Sequence, residues 1–239
     1  MQACSAPADA LPAGWWSGRE LPGPNGAERE DLRTVTERIT EGDLTVDVRN
    51  GTPSLAALVG WGLARFDLAE LPLPTVRRVT FTDYTGYCRE VEGRTLRLPD
   101  EDPLTGEPTG GGWEIVLCMN DDDVYLDDSL TEPSALVRHI VLHELAHVWI
   151  EEHVDEARRE RLMAWLRLPT WDDHDVAWDQ RGVEWAASFI AWGLMDQSMP
   201  LFELDAPTLE VKYDGFQLLT GHVPLQPGPE RIGLAGLPR

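Results

Sequence analysis

The stretch His143-Glu144-Leu145-Ala146-His147 decides how the rest of the chain is read. It lies inside an apolar run from Ala135 to Ile150. On a helix, residues four apart differ by about 40° around the axis, so both imidazoles point the same way and can grip one metal ion. Glu144 stands about 100° round from His143, near enough to reach a water on that ion without being a ligand itself. Two histidines and a third protein ligand leave the fourth position of a tetrahedral zinc open, as in a catalytic rather than a structural site.

The surroundings of this stretch predict a helix. Thr131 is the expected N-cap, with Glu132 and Pro133 in the first turn, where acidic residues and proline are favoured. Leu136, Val137, Ile140, Val141, Leu142, Leu145, Ala146 and Val148 make the segment apolar on most sides, which predicts a buried helix. The bland alternative is a core helix with two satisfied histidines. Polar groups in so apolar a helix need partners, and a metal ion supplies one.

Two positions compete to be the third ligand. His153 falls where the metzincin pattern H-E-x-x-H-x-x-G-x-x-H has its last histidine. That pattern turns at its glycine, and Ile150 stands there instead; a β-branched residue does not readily take positive φ. If the helix continues, His153 sits about 80° from His143, on the side away from His147. The better candidate is Glu184, on a second predicted helix from Asp179 to Leu194 with Asp179 as its cap. Val183, Ala187, Ile190, Ala191 and Leu194 form the apolar stripe of that helix, and Glu184 stands beside it, facing the core. Pairing with Arg181 at the boundary is the alternative for Glu184. Ser188, one turn later, either hydrogen-bonds a ligand or permits close helix packing.

This set resembles the gluzincin branch of the zinc metallopeptidases, in which two histidines of H-E-x-x-H and a glutamate on a downstream helix hold zinc. The resemblance covers the two helices. It implies His143, His147 and Glu184 as ligands of one catalytic Zn2+, Glu144 as general base, and hydrolysis of peptide bonds by a metal-activated water. Many gluzincins carry an acidic residue one turn after the ligand glutamate, where this chain has Ser188. The implied fold is α+β and zincin-like: a small, mostly antiparallel sheet, then the active-site helix, then further helices. A non-catalytic binding protein on the same scaffold, with a structural metal site filled by His153 or His174, is the alternative from another functional class.

The remaining sequence fits around these helices. At 239 residues the chain suits a single domain, expected over 31–221, with a Pro/Gly-rich arm over 1–30 and a Pro/Gly-rich tail over 222–239. The net charge of −22, from 42 acidic against 20 basic residues, argues against nucleic acid or anionic membrane as partners, and a solvated acidic surface is its simplest reading; the peptide or protein substrate is what the resemblance implies. No apolar run is long enough to span a bilayer. The first residues lack the basic and apolar regions of a signal peptide. Cys4-Ser5-Ala6-Pro7-Ala8-Asp9-Ala10 instead resembles the start of a mature bacterial lipoprotein, which would hold only if the gene began upstream.

Along the chain, Leu32, Val35 and Ile39 give a short amphipathic pattern over 28–40. Strands are expected over Asp43–Val48, Val76–Thr82, Tyr84–Val91, Arg94–Leu98, Trp113–Met119 and Val124–Leu126, and either of the last two could pair with an extended substrate. Asp121-Asp122-Asp123 lacks the spacing of a calcium loop and reads as a turn. Thr52-Pro53 opens a helix to about Asp67, which Gly60 and Gly62 either simply weaken or mark as a place of close packing. Further helices are expected over Asp155–Leu168, with Leu162, Trp165 and Leu166 inward, and over Thr208–Thr220, stopped by Gly221. His174 and Tyr213 are weaker candidates for contact with a reacting group. Cys88 and Cys118 are either a disulfide between neighbouring strands or two buried thiols.

Overall fold

The computed structural model describes residues 4–5, 34–82, 93–98, 100, 111–119, 134–173, 175–196 and 207–226. Its described elements form an α+β fold with a small, mixed, open sheet and five α-helices. The five main strands are β2 (Val35–Glu41), β3 (Leu44–Arg49), β4 (Val76–Phe81), β5 (Gly93–Arg97) and β6 (Trp113–Leu117). A two-residue strand, β1 (Cys4–Ser5), lies alongside β5. The helices are α1 (Pro53–Leu68), α2 (Ala135–His153), α3 (Glu156–Leu166), α4 (Gly182–Leu194) and α5 (Leu209–Thr220).

The spatial order of strands is β1-β5-β6-β4-β3-β2. Pairing is antiparallel for β2–β3 and β5–β6, and parallel for β3–β4, β4–β6 and β1–β5. The expectation of a mostly antiparallel sheet is therefore corrected to a mixed one. Helix α1 connects β3 to β4, and such a crossover returns the chain in the same direction. The buried runs Val79–Phe81 and Glu114–Leu117 fit strands covered on both faces. Strand β6 lies between β5 and β4, so the Trp113–Met119 segment is not an edge open to a substrate. The Val124–Leu126 candidate lies outside the described residues, as do Tyr84–Val91 and Asp121-Asp122-Asp123.

Local sequence explains most helix ends. Thr52 caps α1 by accepting a hydrogen bond from the Leu55 N–H, with Pro53 at its first position. Ser134 caps α2 by accepting from the Val137 N–H; the expected cap, Thr131, lies outside the described residues. Asp155 caps α3 and Thr208 caps α5. Gly221, at φ 76°, ends α5 as expected. The N-cap position of α4 is Arg181 rather than Asp179, which belongs to a 3-10 turn over Trp178–Gln180. Val35–Glu41 is a strand rather than part of an amphipathic segment over 28–40, because the hairpin with β3 supplies its hydrogen bonds. Trp165 stays 40 % exposed, against the inward placement expected of it, whereas Leu162 is fully buried.

One core joins the inner face of the sheet to α1, α2 and α4. From Val137 to Ile150 every residue of α2 except Ile140 is buried, as its apolar composition predicts. Gly62 brings α1 close to α2, since a Cβ there would lie 2.8 Å from Leu145 Cδ1 and 3.2 Å from Val141 Cγ1; Gly60 meets nothing that near. Helix α4 packs along α2, and its C-terminal carbonyls at Leu194 and Met195 accept from the Arg65 guanidinium. Beyond α5, Leu225 donates to the Gly193 carbonyl and the buried Gln226 side chain to that of Met195, so the start of the expected tail wraps α4. No helix of the described residues is long and apolar enough to cross a membrane. Cys118 is disulfide-bonded, and its expected partner, Cys88, lies outside the described residues.

Candidate metal centre

Two helices and one strand build the site. Helix α2 contributes His143, Glu144 and His147, whose candidate ligand atoms all lie within 4.8 Å of one another. All three side chains are buried, and the group could hold a metal ion. Helix α4 contributes Glu184, with no exposed surface at all. Its Oε2 lies 3.2 Å from His143 Nε2 and 3.4 Å from His147 Nε2, and the two Nε2 atoms are 3.1 Å apart. Three donor heads from two helices thus close a small triangle in the core.

The polar bookkeeping of the triangle fits an ion at its centre. Glu184 Oε1, on the carboxylate whose other oxygen forms the triangle, is buried with no hydrogen-bond partner among the described residues. Leaving such groups unpaired is costly, and buried charge is normally paired or bound to metal. Burial pulls the His143 pKa down, and its hydrogen bond to Glu184 only partly offsets this. Burial also acts to lower His147, but the Glu184 carboxylate, with Glu144 and Asp172 behind it, prevails and raises that pKa to about 9. Burial would raise Glu184, yet the His147 charge and hydrogen bonds from both imidazoles hold it at about 2. Without metal, the site is therefore a buried imidazolium–carboxylate pair beside a neutral imidazole.

Glu144 is held from the sheet side. Its Oε2 accepts from the Thr95 hydroxyl on β5 at 3.1 Å. Gly93 on the same strand abuts it: a Cβ at Gly93 would lie 2.5 Å from Glu144 Cδ and 2.6 Å from Oε1. Neither Thr95 nor Gly93 figured in the sequence reading, although a glycine inside a strand is a signal of close backbone approach. Ser188, 2 % exposed, places its Oγ 3.4 Å from His143 Nδ1. The indole of Trp178, in the 3-10 turn ahead of α4, lies against His143 with ring centroids 6.1 Å apart and planes 26° apart. His139, one turn before His143, is buried, and that burial above all lowers its pKa to about 3.

Other candidates fall outside the triangle. His153 ends α2 beside Trp149, with its Nε2 3.9 Å from Glu152 Oε2. Arg181 does not take up Glu184; its Nε donates to the Val176 carbonyl. Tyr213 packs, partly buried, against the hydrophobic core. His174 lies outside the described residues. No protein-family model, curated protein or solved structure matches the chain.

Proposed function

We propose that the chain is a zinc-dependent metallopeptidase with a gluzincin-like site on a zincin-like scaffold. His143, His147 and Glu184 hold the ion, and Glu144 is the general base. The observation that carries this reading is the size of the donor triangle. Tetrahedral zinc with bonds of about 2.0–2.1 Å needs its ligand atoms about 3.3–3.4 Å apart. The three edges are 3.1, 3.2 and 3.4 Å. Glu184 meets that spacing with both histidines and comes from a separate element, which leaves Glu144 for chemistry.

When bound, zinc polarises the scissile carbonyl and acidifies a water. Glu144 takes a proton from the attacking water and delivers it to the leaving amine nitrogen, so that one amide and one water become one acid and one amine. Thr95 and the bare backbone at Gly93 fix the direction of that carboxylate. Ser188 orients the His143 ring through Nδ1. The core around α2 keeps bulk water from the base.

Glu144→Gln tests the reading. The expected result is one equivalent of zinc by elemental analysis in both proteins, with hydrolysis of fluorescein-labelled casein by the wild type and at least a 100-fold loss in the variant, the scale of a lost general base. Zinc bound equally with no hydrolysis by the wild type would favour a non-catalytic metal-binding protein. Absence of zinc from the wild type would end both readings.

A further inference from the structure

We infer that Trp178 supplies the hydrogen-bond donor for the oxygen that a carbonyl or phosphoryl ligand presents at the metal centre. The inference rests on His143, His147 and Glu184 being that centre. Its starting point is an unmet donor. Trp178 Nε1 is buried and has no hydrogen-bond partner among the described residues. An indole nitrogen can only donate, so an acceptor must come from elsewhere. The Trp149 and Trp171 nitrogens share this state, but Trp149 packs beside His153 and Trp171 lies under the Arg159 guanidinium. Of the three, Trp178 is the one laid along the ring of a ligand histidine.

Two hydrogen bonds tie its turn to the helix that carries Glu184. The Arg181 N–H donates to the Trp178 carbonyl at 3.1 Å, closing the 3-10 turn directly onto α4, the helix that carries Glu184. The Trp185 indole N–H donates to the Asp179 carbonyl at 2.7 Å and pins the same turn from the helix side. The Trp178 residue as a whole is half-buried, while its Nε1 is covered. A donor fixed before the reaction begins needs no reorganisation when charge develops on the oxygen it faces. Being neutral at all ordinary pH, it also adds no titration of its own.

The test uses the full chain loaded with zinc, with N-phosphoryl-leucyl-alanine as probe, because its phosphoryl oxygens imitate the charge on a tetrahedral intermediate. Trp178→Phe keeps an aromatic ring and removes the donor. The expected result is unchanged zinc content and probe affinity lower by about 100-fold, as for loss of one such donor. In the 15N-labelled wild type, the indole signal missing from Trp178→Phe should move on adding the probe, while those of Trp149 and Trp171 stay in place. Probe binding by Trp178→Phe equal to wild type, with loss only in Trp178→Ala, would make the residue a packing wall and overturn the inference. So would a Trp178 indole signal unmoved by bound probe, whether or not the variants fold. Failure of the wild type to take up zinc is a separate outcome and sinks the metal reading itself.

Discussion

Replacing Gly93 by alanine adds one methyl group between strand β5 and the carboxylate of Glu144. Gly93 does not have positive φ, so alanine meets no backbone penalty and only space matters. The new carbon would lie 2.5 Å from Glu144 Cδ and 2.6 Å from Cγ and Oε1, where ordinary contact begins at 3.4 Å. The carboxylate must therefore retreat by about 0.9 Å, and its 3.1 Å bond from Thr95 cannot follow unchanged. The displaced atoms belong to the end of a side chain, so the fold should lose only about 1 kcal/mol, the low end for overpacking. If Glu144 has the proposed role of general base, turnover should lose far more, since a shift of about 1 Å in a reacting group costs roughly 100-fold. The assays are zinc content, urea denaturation and turnover of fluorescein-labelled casein. Unchanged zinc, a slightly lower denaturation midpoint and turnover near 1 % of wild type are expected, on that same scale. Full turnover in a folded Gly93→Ala protein would show that Glu144 either does not act from its place against β5 or does not act at all.

Other consequences can be checked alongside. Glu184→Ala should release the metal, whereas His153→Ala should retain it; metal loss confined to the histidine variant would reverse the ligand assignment. Without metal, His147 carries a proton up to a pKa of about 9, which the proposed zinc would have to displace. Zinc affinity measured by competition should then rise about tenfold per pH unit from 7 towards 9 and flatten above, and a flat profile would contradict the buried ion pair. The same pair sets the stability of the metal-free protein. The His147 pKa is raised from 6.5, so its contribution is complete below 6.5 and is lost as pH climbs through 9; that of Glu184 is lowered from 4.5, so its contribution is complete above 4.5 and is lost as pH falls through 2. Thermal denaturation of the metal-free protein across pH should find this contribution largest between about 4.5 and 6.5, and a stability unaffected between pH 6 and 10 would argue against the pair.

Local sequence was enough to determine the two helices and their facing. The spacing of His143 and His147, the apolar run around them, and the position of Glu184 beside a stripe each depend on helical periodicity, which neighbours in the chain dictate. Sheet topology was not legible in this way. A β-branched run such as Val76–Phe81 has the same character whether its neighbour runs parallel or antiparallel, and only the crossover through α1 and the insertion of β6 between β5 and β4 decided it. Tertiary structure alone likewise brought Glu184 to 3.2 Å from His143, laid Trp178 against that ring, and set Gly93 and Thr95 against Glu144. Those contacts join residues far apart in sequence, and their geometry follows from how α2, α4 and β5 pack together, which no periodicity within one segment encodes.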